Sequence, residues 1–122
     1  MATIIPVVNR TLQGAGSIAI TTWTLGNADT GVQVSMSDMG DRSIQVEGTF
    51  GGATVTVQGS NDNVNWETLR DPGTIVLTYT VAGLKQVLEM TIYIRVISAG
   101  GVGTALTCTM ASRQMFPAAW SA

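Results

Sequence analysis

From Ser43 onward the chain alternates between apolar and polar positions: Ile44, Val46, Gly48 and Phe50 fall on one side, Gln45, Glu47 and Thr49 on the other. A period of two over this length predicts a half-buried strand. Gly51-Gly52 then turns the chain, and Val55 and Val57 alternate with Thr54, Thr56 and Gln58, which predicts a second strand paired with the first as a hairpin. The same period recurs in Val32, Val34 and Met36, in Ile92, Ile94 and Val96, and in Leu106, Cys108 and Met110. Residues 17–25 and 74–81 mix threonine with apolar side chains on both faces, but their β-branched and aromatic content still reads as strand. Asp71-Pro72-Gly73 has the residue order of a turn, separating a short strand at 66–69 from one beginning near Ile75. Residues 84–90 fit one helical turn or a strand equally well.

Eight or nine short strands with no convincing helix predict an all-β fold, a two-sheet antiparallel β-sandwich of jelly-roll or other Greek-key type. A parallel sheet would need helical crossovers that the pattern lacks. The 122 residues suit one domain. Its expected organisation is an N-terminal arm over residues 1–16, a sandwich over 17–112 and a C-terminal arm over 113–122. The first arm holds the apolar block Ile4, Ile5, Pro6, Val7 and Val8, then Arg10 and Gln13-Gly14-Ala15-Gly16; the second holds Arg113, Met115, Phe116, Pro117 and Trp120. Proline fits poorly inside a sheet, so both arms are expected as edge strands or extended segments, either folded back on their own sandwich or docked on a neighbour.

Composition changes the picture of the surface. Charged residues make up 11% of the chain, where a soluble domain ordinarily has about a quarter. Seventeen threonines and fourteen glycines take their place. Such a surface is poor at holding molecules apart, and low charge is the mark of an interface core, so much of it is expected to be covered by neighbours in a homo-oligomer. Five arginines against the single Lys85 point the same way, because the planar guanidinium suits interfaces. A net charge of −2 offers no positive field for phosphate, so no nucleic-acid partner is expected. MATIIPVVNR lacks the basic and long apolar stretches of a secretory signal, and no apolar run is long enough to cross a bilayer, so neither a leader nor a membrane span is expected. The lone Cys108 fits assembly in a reducing cytosol.

Chemistry finds few residues to work with. There is no histidine, which removes the commonest general base and zinc ligand together. Asp29, Asp38, Asp41, Glu47, Asp62, Glu67, Asp71 and Glu89 leave a two-carboxylate hydrolase formally open, but most stand in turn contexts where local hydrogen bonds explain them. Asn61-Asp62-Asn63-Val64-Asn65 spaces oxygens as calcium loops do, then fails at the twelfth position, Pro72, and reads better as a hydrogen-bonded turn. Gly100-Gly101-Val102-Gly103 leads into a strand and not a helix, so it reads as a turn and not a phosphate loop. Trp23, Trp66 and Trp120 are expected in the core or an interface before a sugar platform. The expectation is no enzyme, no cofactor, no metal and no catalytic residue.

Residues 46–71, VEGTFGGATVTVQGSNDNVNWETLRD, carry a GGATV turn-strand, a QGSND turn, a tryptophan a few residues on and a Leu-x-Asp. Ala82-Gly83-Leu84 and Tyr93-Ile94-Arg95 continue the pattern. This half of the chain resembles a hairpin found in small head proteins of tailed bacteriophages, the cement or decoration proteins. The resemblance implies a β-sandwich on the outside of the virion capsid that bridges subunits of the major capsid protein, made in the host cytoplasm, with no catalytic site to carry over. The arms lie outside the matching region. Their expected role as contacts, with Ile4, Ile5, Val7, Val8, Met115, Phe116 and Trp120 as apolar anchors and Arg10 and Arg113 as polar ones, rests on composition. A carbohydrate-binding sandwich using Trp66 or Trp23, and another head or tail component such as a fibre base, are the alternatives.

Overall fold

The structure, a computed structural model, describes residues 2–13 and 16–114. Its strands in chain order are β1 (Thr3–Ile4), β2 (Val7–Gln13), β3 (Gly16–Leu25), β4 (Thr30–Gly31), β5 (Val34–Ser35), β6 (Met39–Thr49), β7 (Thr54–Ser60), β8 (Glu67–Thr68), β9 (Thr78–Tyr79), β10 (Gly83–Gln86), β11 (Tyr93–Ala99) and β12 (Ala105–Gln114). No described residue is helical. The chain is all-β and forms two sheets. One runs β10-β6-β12-β3-β2; the other runs β1-β4-β11-β7-β8, with β5 also on β11 and β9 also on β7.

The strand order defines the fold. Taken with their broken halves, β4 and β5 act as one interrupted strand on β11, and β8 and β9 act as another on β7. From β3 to β12 the chain then visits eight strand positions and changes sheet at every step but the one from β7 to β8. The sheets read first-eighth-third-sixth and second-seventh-fourth-fifth, which is a jelly roll. β2 adds an edge strand to one sheet, and β1 lies parallel to β4 at the edge of the other, the one parallel pair among the described strands.

Alternation decides which residues meet between the sheets. Trp23 and Leu25 on β3, Leu106, Cys108 and Met110 on β12, and Ile44 and Val46 on β6 face Val55 and Val57 on β7 and Ile94 and Val96 on β11, all buried in one cluster. Two polar contacts tie parts of this layer together. Trp23 donates its indole N–H to the Val32 carbonyl at 2.9 Å, and the Tyr79 hydroxyl donates to the Ile44 carbonyl at 2.9 Å, joining one sheet to the other. At one end Asp29 gathers three segments. Its carboxylate accepts from the Gly26 and Ala2 amides, while its own amide donates to Ser98 Oγ.

The expected hairpin at Gly51-Gly52 is corrected. β6 pairs with β12 and β10, whereas β7 pairs with β11, β8 and β9, so the two strands lie in opposite sheets. Both strands have an apolar face, and stacking Ile44 and Val46 against Val55 and Val57 dries both; laying the strands side by side would leave those faces needing another cover. Gly51 and Gly52, at φ of 60° and 88°, supply the left-handed backbone for the crossing. The strand expected over 74–81 is shorter, with only Thr78–Tyr79 in the sheet. The Asp71 carboxylate accepts from the amides of Gly73 and Ile75, and this extends the turn. Residues 84–90 resolve as strand over Gly83–Gln86. The N-terminal residues 7–13 form the edge strand β2, and Arg113 and Gln114 continue β12; Met115, Phe116 and Trp120 lie outside the described residues.

Gly31 packs so closely that a Cβ there would stand 2.7 Å from both Trp23 Cδ1 and the Val96 carbonyl oxygen. Gly31→Ala should therefore lower stability by about 1–3 kcal/mol, read as a lower urea midpoint at unchanged slope. A midpoint equal to wild type would show that the ring is not wedged there. Burial pushes the Cys108 thiol up to about 12. In the native protein at pH 8 it should resist a thiol reagent, and react at the free-thiol rate only in denaturant; prompt native labelling would contradict this packing.

Candidate partner-binding surface

The residues expected as N-terminal anchors are divided by the fold. Ile4 packs against the core, whereas Ile5 is 81% exposed, Val7 is 61% exposed and Val8 is exposed to a lesser degree. Val7, paired to Thr22, points to the outer face of the five-stranded sheet; Val8, paired to the buried Thr21, points the other way at the rim. β3 leaves the outer edge of β2 without a strand among the described residues.

Arg10 and Arg113 come to the same end of this sheet, opposite Ala19 and Ile18 respectively. Each has an aspartate nearby: Arg10 donates to Asp38 at 2.9 Å, and Arg113 stands 3.8 Å from Asp41. The Arg10 hydrogen bond holds Asp38 below the usual carboxylate range. Both pairs are exposed, so they stabilise little and both guanidiniums stay accessible to a partner.

A second apolar rim was not read from the sequence. β10 is the opposite edge of the same sheet, where Leu84 is 64% exposed and the adjoining Val81 71% exposed; Val76, Leu88 and Met90 continue the exposed apolar surface nearby. Part of the signal was present in the adjacent β-branched pair Ile75-Val76, since neighbouring apolar residues in extended chain cannot both face inward. Arg42 was also missed as a core residue. It lies in phase with Ile44 and Val46, and its buried guanidinium donates from Nη2 to the carbonyls of Met36 and Met39, while Nε and Nη1 have no partner. Burial lowers its pKa.

The tryptophans separate. Trp23 is wholly buried, so it offers no surface for a sugar. Trp66 is half-buried, with the Arg95 guanidinium 4.1 Å from its ring centre, which occupies one ring face; Trp120 lies outside the described residues. A groove of about 710 Å³ is lined among others by Asn61, Asp62, Asn65, Glu67, Arg70 and Glu89, and Trp66 is not part of its wall. Much of this polarity is spent internally. Asp62 accepts from the amides of Val64 and Asn65, the Asn65 side chain and Ser60 Oγ, which together hold its carboxyl far below the usual range and make the segment a hydrogen-bonded turn. Glu89 grips the backbone amide and guanidinium of Arg70 at 2.8 and 2.6 Å. Among the described residues no cluster of three His, Cys, Asp or Glu stands ready to hold a metal.

Glu89 also sets a pH dependence. Burial alone would raise its pKa, but the two Arg70 donors outweigh that and hold it below the ordinary value. The unfolded chain therefore takes up the proton first. This contribution is complete above the ordinary glutamate pKa of about 4.3 and is lost as pH falls through the lower folded value. Wild-type Tm should decline on acidification below about pH 4, and Glu89→Gln should decline less over that range; parallel Tm curves would remove Glu89 from the acid response.

No family model matches the chain, and no curated protein matches it significantly. Solved structures of similar shape include a cupin domain from Bordetella pertussis Tohama I, with TM-score 0.45 and 10% identity over 93% of this chain and 97% of that one. Peruvianin-I, a cysteine peptidase from Thevetia peruviana latex, has TM-score 0.45 and 16% identity over 89% of this chain and 61% of that one. Drosophila melanogaster CENP-C bound to CAL1 has TM-score 0.43 and 5% identity over 88% and 76%. The strand order, and not these distant likenesses, assigns the jelly roll.

Proposed function

We propose that this chain is a structural virion protein: a cement or decoration protein that, as a homo-oligomer, binds the outside of a tailed-phage head and bridges subunits of the major capsid protein. The observation that carries the reading is the pair Ile5 and Val7, large apolar side chains held in water, one just before the edge strand β2 and one at its start, on an edge whose one charge, Arg10, is paired with Asp38 of the same chain. Apolar groups presented this way favour a covering partner. The resemblance of residues 46–71 supplies the kind of partner, and the charge-poor, threonine-rich exterior fits a contact repeated over a lattice, where modest energy per copy adds up to avidity. A jelly roll hosts many functions, so the fold itself is neutral here.

One observation favours a second reading, a carbohydrate-binding module: the groove lined by Asn61, Asp62, Asn65, Glu67 and Glu89, with Trp66 next to two of these residues in sequence. It requires the ring face left open by Arg95 to be the stacking face, and it makes loss of glycan-array binding in Trp66→Ala its signature.

The cement reading predicts that purified heads contain the chain in numbers matching the capsid lattice; a handful per particle would identify a tail or fibre part instead. Removing residues 1–12 would also strip β1, most of β2 and the Ala2 contact to Asp29, so point changes are the cleaner probe. Ile5→Asp, or truncation after Gln114 to remove Met115, Phe116 and Trp120, should reduce occupancy of chain-free heads at least tenfold, roughly 1.4 kcal/mol, with folding unchanged. Wild-type occupancy in both variants would refute these residues as anchors.

A further inference from the structure

One charged group in the core has neither a counter-charge nor a full set of acceptors. Arg42 is 1% exposed, and its guanidinium donates only from Nη2, to the carbonyls of Met36 and Met39 at 2.9 and 3.1 Å; Nε and Nη1 are buried without a partner. Guanidinium nitrogens donate and never accept, so an acceptor is what these two lack. We propose that the surroundings of Arg42 form a binding site for a small monovalent anion of the halide class, held at Nε and Nη1 inside the sandwich.

No carboxylate fills this role among the described residues. Asp41, next in sequence, is exposed and stands 3.8 Å from Arg113, and Asp38 accepts from Arg10. Glu89 is taken by Arg70. The side chains around Arg42 are polar without being acidic. The inward face of the five-stranded sheet is apolar over Leu25, Leu106, Cys108, Ile44 and Val46, but Thr21, aligned with Met110, and Ser112, aligned with Ala19, are buried at the end where Arg42 lies. The Thr21 hydroxyl has no partner, and the Ser112 hydroxyl makes only long contacts, 3.4 Å to the Ala19 carbonyl and 3.7 Å to Met36 Sδ. The ladder is also interrupted here. Asp41 and Arg42 together stand opposite Ser112, with Asp41 at a φ of 49°, a bulge that leaves the acid in water and the base inside.

Charge decides between an anion and water as the missing acceptor. A water molecule can accept from Nε and Nη1 but leaves the positive charge unpaired, and a buried unpaired ion is among the most unfavourable groups a core can hold. An anion supplies the acceptor and the opposite charge together. Size then selects within the anions. The site is closed over by core side chains, with the Met36 thioether against Ser112, and an unbranched methionine yields space for one atom more readily than for a polyatomic acid.

The test titrates chloride-free, full-length protein with sodium bromide, and in parallel with sodium gluconate at matched ionic strength, reading the urea midpoint. Screening of surface charge is common to the two salts, whereas gluconate is too large for the site. Bromide should raise the wild-type midpoint to a plateau above that in gluconate; at ten times the dissociation constant the unfolding equilibrium constant should fall about elevenfold. Arg42→Met, which keeps an unbranched side chain and removes the charge, should give the same midpoint in both salts. Crystals grown in bromide should show an anomalous-scattering peak within hydrogen-bond reach of Arg42 Nε and Nη1. Equal wild-type midpoints in the two salts, an Arg42→Met variant that responds to bromide as wild type does, or bromide found on the surface as an adventitious ion only would each overturn the proposal. The wild-type titration and the crystal need no variant, so they decide the matter even if Arg42→Met does not fold. No head or partner takes part, so the anion site and the capsid reading fail separately.

Discussion

Where none of the described residues is helical, an apolar sheet face has another sheet to lie against. That constraint shapes this molecule. The long strands β3, β6, β7, β11 and β12 each carry one dry face, so each dry face needs a partner across the sandwich and not beside it. The path from β6 to β7 shows the consequence: two neighbouring strands with matched apolar faces pass into opposite sheets at Gly51-Gly52, so Ile44 and Val46 can meet Val55 and Val57 in one core. The polar ties follow the packing. The Tyr79 hydroxyl reaches the Ile44 carbonyl because the sheets are already stacked, and Trp23 reaches Val32 from inside the same layer.

Strand positions were legible where alternation was clean, as at 44–50, 55–58 and 106–110, because a period of two has a single structural meaning. Their pairing was not. A glycine turn between two alternating strands serves a hairpin and an inter-sheet crossing alike, and the choice is made by burial of residues far away in sequence. Arg42 shows a similar limit. Its phase with Ile44 and Val46 places it inside, yet arginine reads as a surface residue, and only the nearby carbonyls of Met36 and Met39 make the inward position tolerable. Of the proposed contact residues, Ile5 and Val7 were visible as an apolar block and Ile4 packs against the core, while the β10 rim was hidden because Leu84 and Val81 stand in short, irregular stretches.

The surface that results is unusual in where it keeps its charge. Arg10 and Arg113 stand beside acidic neighbours of the same chain, Arg95 covers Trp66, and Arg42 is interior. The guanidinium groups of these arginines stand beside local partners, and exposed Arg10 and Arg113 keep their outer sides in water. Ordinary edge strands protect themselves with lysine, proline or a bulge. β2 has Pro6 just before it and a single charge, Arg10, along Val7–Gln13, a lightly defended edge.

The place of β12 has a consequence for how the molecule is made. It is the last of the described strands, yet it lies at the centre of its sheet, between β3 and β6, with Arg113 aligned to Ile18 some ninety-five positions earlier in the sequence. Until that strand emerges, β3 and β6 have a vacancy between them, and half of the sandwich has no middle. The two strands can therefore join into one sheet only after residues 105–114 have been made, so this sheet rests on contacts between parts of the chain far apart in sequence.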